Sequence, residues 1–358
     1  MLQSGTRKER ATSISSEDQV RRLTARAHSH ISRRCTMRIH DGLNAANGQL
    51  ARGAVAIGNF DGVHLGHRAL LAHSRAWTLA VSLPGPVAVL TFEPHPASVL
   101  APALAPPRIC TPARKLALLE AAGADEVVVQ RFDAAFAALS PEEFVELLCK
   151  TGVSHVVVGY DFTYGKARGG NTGSLRRALE ERGVSLTLVP TVTVNGLVVS
   201  STKVREFTLS GHVDGAAALL GRPFDLDGEV VRGDGRGKLL GFPTANLKSE
   251  ADLLPSLGVY AVRVRLAEGA GFGPPLPGAA NLGINPTFRT AAQAGTLQGG
   301  KTPLLLEVHL LDFAQDLYGR QVRVEFIRKL RDERRFPGVD ALKAQIGRDL
   351  DEARRLLT

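Results

Sequence analysis

The chain has 358 residues, 44% of them hydrophobic and 22% charged, with a formal net charge of +9. That length exceeds one ordinary core and suits two domains, and the composition is that of a globular chain. No stretch reaches the roughly 20 apolar residues that span a bilayer, and no secretory segment opens the chain. Cys35, Cys110 and Cys149 are odd in number and lack CxxC spacing. They read as reduced thiols of a cytoplasmic protein, not as a disulfide framework.

Residues 1–36 hold eight Lys or Arg against three acids, so more than half of the net charge lies there. This Ser/Thr/Arg-rich tail lacks hydrophobic periodicity and is expected to be disordered. It has the look of a transit peptide, although Glu9, Glu17 and Asp18 count against that. The body left behind is mildly basic, which suits polyphosphate ligands as well as nucleic acid. No aromatic-rich basic stripe is present, so nucleic acid is not the expected partner. An RNA-binding role for the tail stays open, and would show as salt-sensitive retention.

From residue 54 to about 190, short β-branched runs alternate with helical patterns. Strands are expected at Ala54–Phe60, Val87–Phe92, Glu126–Gln130, His155–Gly159 and Ser185–Val189. Helices are expected near 66–80, 112–122, 141–150 and 173–182. Ser140-Pro141-Glu142-Glu143 supplies an N-cap, a proline in the first turn and early acids. Such alternation predicts a parallel, doubly wound sheet, with ligands outside the carboxyl ends of its strands. A short helical stretch through Ala216–Leu220 leads to Gly221-Arg222-Pro223-Phe224. Beyond it the pattern is strand-rich, at Leu226–Arg232, Val259–Leu266, Gly278–Leu282, Leu304–Leu311 and Gln321–Lys329, with 267–278 read as a surface loop. This predicts an antiparallel barrel or sandwich. Leu342, Ile346, Leu350 and Leu356 mark a closing amphipathic helix.

Two motif clusters carry chemistry. In the first, Ile57-Gly58-Asn59-Phe60-Asp61-Gly62-Val63-His64-Leu65-Gly66-His67 follows a strand and opens a helix. Glycines there let backbone approach a phosphate at a positive helix N-terminus. His64 and His67, three apart, can both donate hydrogen bonds to a triphosphate and to departing pyrophosphate. A zinc pair is the bland alternative, but no third ligand motif accompanies it. Ser201 and Thr202 can cap a helix facing phosphates, and Arg205 can fork onto phosphate oxygens; an ordinary cap with a surface Arg is the competing reading.

The second cluster runs from Gly228 through Gly233-Asp234-Gly235-Arg236-Gly237-Lys238 to Gly241-Phe242-Pro243-Thr244-Ala245-Asn246. Leu239 follows Gly237-Lys238 where a Walker A loop needs Ser or Thr, and the glycine spacing is not that of a dinucleotide fold. What remains is a glycine loop closing over phosphates, then a rigid turn presenting Thr244 and Asn246. Both are hard oxygen donors suited to Mg²⁺, and alternate spacing puts them on one face.

Together these motifs resemble the prokaryotic bifunctional riboflavin kinase/FAD synthetase family over roughly residues 50–358, the first lying in its HxGH nucleotidyltransferase half. Gly159-Tyr160-Asp161-Phe162-Thr163-Tyr164 resembles its flavin-side loop, Ser200-Ser201-Thr202-Lys203-Val204-Arg205 its second signature, and Thr91-Phe92-Glu93-Pro94-His95-Pro96 a further segment. Asn281-Leu282-Gly283-Ile284-Asn285-Pro286-Thr287-Phe288, Leu306-Glu307-Val308-His309 and Arg328–Phe336 match in order, with the insertion-like Thr290–Thr302 the least similar piece.

The resemblance implies an FMN adenylyltransferase domain at 37–205, a connecting helical segment at 206–224 and a riboflavin kinase domain at 225–358, after the 1–36 tail. It implies that riboflavin and ATP give FMN and ADP, and that FMN and ATP give FAD and pyrophosphate. Catalytic residues would be His64, His67, Arg205 and Glu307, the last as general base. ATP would meet Gly58, Asn59, Phe60, Asp61, Gly62, Gly66, Ser201 and Thr202 at one site, and Gly233, Gly235, Gly237 and Lys238 at the other. The flavin would meet Asp161, Asn281, Arg331 and Glu333. Mg²⁺ is expected with ATP at both sites, and an oligomer is compatible with all of this.

Overall fold

The computed structural model describes residues 37–81, 85–233, 236–269, 271–284 and 304–358. The tail 1–36, Gly235 and the segment Thr290–Thr302 lie outside these described residues. The chain divides into two compact units. One holds the described residues up to Asn59 with Gly66–Val99 and Glu120–Val198; the other holds Phe60–Leu65, Leu100–Leu119 and Val199–Thr358.

The first unit is a parallel sheet. Its strands are β1 (Arg38–Asp41), β2 (Ala54–Ile57), β3 (Val87–Glu93), β4 (Glu126–Arg131), β5 (His155–Gly159) and β6 (Ser185–Val189), in spatial order β1-β4-β3-β2-β5-β6. Every pairing is parallel. Helices α1 (Leu65–Ala80), α2 (Pro112–Ala121, most of it in the second unit), α3 (Pro141–Lys150) and α4 (Thr172–Glu180) fall where the apolar periodicity placed them. Helix α3 begins with a capping box in which the Ser140 hydroxyl accepts from Glu143 N–H while the Glu143 carboxylate accepts from Ser140 N–H. Ala54 to Ile57 are buried without alternation, as befits a central strand covered on both faces. The core gathers Val55, Ile57, Leu90, Phe144, Val156, Tyr164 and Leu175. Edge strand β1 was not anticipated; four residues with only Ile39 apolar give no strand pattern.

In the second unit, helices α5 (Ser201–Leu209) and α6 (Val213–Leu220) precede a barrel. Its strands are β7 (Phe224–Val231), β8 (Ala245–Lys248), β9 (Gly258–Glu268), β10 (Leu276–Ile284), β11 (Leu304–Leu310) and β12 (Gln321–Arg331). They run in order β9-β10-β11-β8-β7-β12, and β12 returns to β9, closing the barrel with antiparallel pairs throughout. Closure leaves no long edge exposed. Leu226, Tyr260, Val262, Leu282, Leu306, Val324 and Phe326 are buried. Helix α7 (Val339–Leu357) lays Leu350 and Ala353 on Ala261 and Ala279 of the barrel's outer face.

The segment 267–278 is not a surface loop but the tip of the β9–β10 hairpin, in which Gly271–Phe272 pairs with Ala267 and Glu268. Ala245–Lys248, part of the segment expected to be extended, is strand β8. The glycine loop before it contains a one-turn helix, Arg236–Leu240.

Candidate active sites

In the parallel sheet, the chain passes from β2 to β3 on one side, and β5 then lies on the other side of β2. Chain order therefore reverses at β2, the position where doubly wound sheets bind ligands at strand carboxyl ends. Gly58 and Asn59 leave β2 there, fixed by Gly58 N–H to Leu90 O at 3.1 Å and Thr91 Oγ1 to Asn59 O at 3.0 Å. Asp161 follows β5 at the same edge and is exposed, as is Asn59. Tyr164 turns inward, packing on Phe144 and stacking on Phe162. His67 and Gly66 open α1 and are half-buried.

The rest of the loop, 60–65, is held by long-range polar contacts. Asp61 is buried; its carboxylate accepts from Ile109 N–H at 2.9 and 3.0 Å and from Arg205 Nη2 at 2.5 Å. Arg205, also buried, gives its Nε–H to Pro107 O at 2.7 Å. Ser201 Oγ donates to Asp61 O at 3.1 Å. Thus Arg205 and Asp61, expected to meet phosphates, hold one another and two neighbouring segments in place. The cap of α5 is Ser200, whose hydroxyl accepts from Lys203 N–H; Ser201 and Thr202 are already in the first turn, with Thr202 exposed.

Phe60 and Val63 are buried at φ of 51° and 42°, a left-handed conformation that bulky side chains adopt only under constraint. Gly62, at φ 78°, is required by packing: a β-carbon there would lie 2.7 Å from Ile109 Cγ2. Burial, reinforced by Arg205 and Arg222, pulls the His64 imidazole down to about 3. His64 is therefore neutral at physiological pH and can donate one hydrogen bond without carrying charge. Burial pushes the neighbouring Cys110 thiol up to about 12, so it is no nucleophile.

The barrel presents the second cluster on its outer face. Register aligns Val231, Asn246, Glu307, Asn281 and Val259 in one row across five strands. Residues directly opposite in register share a face, so Glu307 stands between Asn246 and Asn281. The inward row beside it is Leu247, Leu306 and Leu282, all buried. Gly233 approaches so closely that a β-carbon there would meet Asn246 Nδ2, and one at Gly237 would come 2.8 Å from Thr244 Oγ1. The glycine loop thus lies directly on the two oxygen-bearing residues. His309 Nδ1 sits 2.7 Å from Pro243 O, and its ring meets Phe242 edge-on, fixing the turn that presents Thr244.

Glu333 lies against Gly283 in the next outward position beyond Asn281. Arg331 is committed elsewhere: it pairs with Asp349 of α7 at 2.8 Å and lies over the Phe336 ring at 5.6 Å. Lys238 belongs to the one-turn helix. Among the described residues no group of three or more His, Cys, Asp or Glu could hold a metal ion. The side chains of Thr244 and Asn246 are of the neutral oxygen type that a hard cation such as Mg²⁺ accepts.

Two family models match the chain: FAD synthetase over residues 47–203 and riboflavin kinase over 220–357. A bifunctional riboflavin kinase/FMN adenylyltransferase of Escherichia coli (strain K12) is 43% identical over 298 residues, covering 82% of this chain and 90% of the relative. The chain belongs to the bifunctional riboflavin kinase/FMN adenylyltransferase family. A Haemophilus influenzae member is 38% identical over 320 residues, 89% of this chain and 98% of its own. A solved structure from Streptococcus pneumoniae, titled a macrolide-efflux protein, is similar with a TM-score of 0.76 and 28% identity, covering 89% of this chain and 99% of that one. Among the described residues of this family member, no helix is long and apolar enough to cross a membrane.

Proposed function

We propose that this chain phosphorylates riboflavin to FMN with ATP at the barrel face, and adenylylates FMN to FAD at the β2 loop. The observation that carries the reading is that both family models match, each spanning one of the two clusters.

At the barrel face, Glu307 takes the proton of the ribityl 5′-hydroxyl as that oxygen attacks the γ-phosphorus of ATP; the bond to the β-phosphate oxygen breaks and ADP leaves. Asn281 and Glu333 orient the flavin, and Arg331 braces the segment that covers it through Asp349. Gly233, Gly237 and Lys238 meet the phosphates, as does Gly235 from outside the described residues. Thr244 and Asn246 would hold Mg²⁺, which neutralises phosphate charge when bound.

At the β2 loop, a phosphate oxygen of FMN attacks the α-phosphorus of a second ATP and pyrophosphate departs. Neutral His64, with His67, donates hydrogen bonds to the growing negative charge, and Gly58, Asn59, Gly66, Ser201 and Thr202 line the phosphates. Asp161 meets the flavin side. Asp61 and Arg205 act by holding the loop, as do buried Phe60 and Gly62. Because the Asp61 carboxylate is occupied by Ile109, Cys110 and Arg205, Mg²⁺ would arrive there on ATP itself. The free thiols Cys110 and Cys149 suit a cytoplasmic enzyme. Purified chain given riboflavin and Mg-ATP should yield FMN first and then FAD, resolved by chromatography; absence of both products would refute the proposal.

A further inference from the structure

The segment from Arg108 to Arg114 lies within the FAD synthetase match, yet three separate contacts hold it, two of them to residues of the riboflavin kinase match. Arg108 Nε bonds Asp252 at 2.6 Å. Ile109 N–H bonds Asp61 in the His64 loop. Arg114 forks onto Asp225 at the start of β7, with Nε–Oδ1 3.0 Å and Nη2–Oδ2 2.6 Å. Asp225 is nearly inaccessible, its side chain 4% exposed, and it also pairs with Arg222 Nε at 3.6 Å. Arg222 stands in turn in the electrostatic surroundings of His64.

We propose that Asp225, a barrel residue, is a positioning residue for adenylyl transfer, acting through Arg222 and Arg114 on the loop that carries His64. The inference rests on reading His64 as part of the adenylyl-transfer site. A fixed carboxylate anchors two guanidinium groups whose mobility would otherwise disturb the loop. One secures the segment under Asp61; the other keeps its charge at a set place near the imidazole. Burial alone would raise the Asp225 carboxyl, but Arg114, Arg222 and Arg323 outweigh it and hold the group below its ordinary value. The anchor therefore stays ionised. Misplacing a donor by a fraction of its bond length is costly to catalysis, because reacting groups must be held in near-attack geometry.

The test uses the full chain, with its own riboflavin kinase activity as the internal measure of folding. Asp225→Asn keeps size and removes charge. Its kcat for FMN to FAD should fall about tenfold or more with little change in KM for FMN, while riboflavin phosphorylation stays within about twofold. Asp225→Glu, which restores the charge, should recover most of the rate. Arg222→Lys should show the same selective loss, and the double variant should fall no further than the weaker of the two single variants, because both act along one chain of contacts. Adenylylation within about twofold of wild type in Asp225→Asn, or equal loss of both activities, overturns the proposal. If Asp225→Asn does not fold, unchanged adenylylation in Arg222→Lys overturns it instead. A wild-type chain that makes no FAD from FMN defeats the reading of His64 itself, a result distinct from insensitivity to Asp225.

Discussion

The two sites are built by different means. On the barrel, Glu307 is placed by strand register: its neighbours Asn246 and Asn281 follow from the ladder, and the ladder is secured by the buried row beside it. In the β2 loop, Phe60 to His64 have no ladder. Their shape depends on a buried ion pair, hydrogen bonds from the Ile109 and Cys110 N–H groups to Asp61, left-handed residues, and the close approach of Gly62 to Ile109. Secondary structure sets the first site, and a few long-range polar contacts set the second. The first should tolerate substitution of its functional side chains without structural cost, whereas the second should couple structure and activity tightly.

The sharpest break between them would come from Glu307→Ala. We expect riboflavin phosphorylation to fall by about 10² to 10⁴, the range for loss of a general base, with the thermal midpoint nearly unmoved. Arg205→Ala should behave oppositely. It strands the buried Asp61 carboxylate, so stability should drop by about 3–5 kcal/mol in urea unfolding, and FAD formation should fall with it. A stable Arg205→Ala protein would erase the distinction. Gly233→Ala probes the register site from the loop side. The new methyl must displace the Asn246 amide, so phosphorylation should drop about tenfold while FAD formation from FMN persists.

The smallest expected effect is on pH dependence. His64 titrates at about 3 when folded against 6.5 ordinarily, so between those values the folded state binds fewer protons than the unfolded one. Its contribution to stability is full above about pH 6.5 and is lost as the pH falls toward 3. His64→Gln should therefore flatten the acid side of the stability profile, measured by urea midpoints from about pH 7 to pH 4.

The sequence shows the fold well because both halves carry their own periodicity. Val55, Ile57, Val89 and Val157 announce central parallel strands, and Ser140 with Glu143 announces the start of α3. The HxGH loop reads as a candidate phosphate site from its place after a strand. Its internal construction was not. Arg205 and Asp61 are 144 residues apart, and Arg114 and Asp225 are 111 apart, distances over which no local pattern acts. Nothing local tells that Phe60 and Val63 take positive φ. The role proposed for Glu307 came only through resemblance, since its geometric argument needs the pairing of β8, a four-residue strand after Pro243 whose partners no local pattern names. Once β8 is in place, register supplies for Glu307 what spacing does not.

The central claim is that one chain carries two separable reactions. His67→Ala, assayed with riboflavin and Mg-ATP and resolved by product chromatography, tests it most directly. The account predicts that FMN accumulates at the wild-type rate while FAD is absent. A folded His67→Ala protein that makes neither product, or that still makes FAD at the wild-type rate, would contradict it.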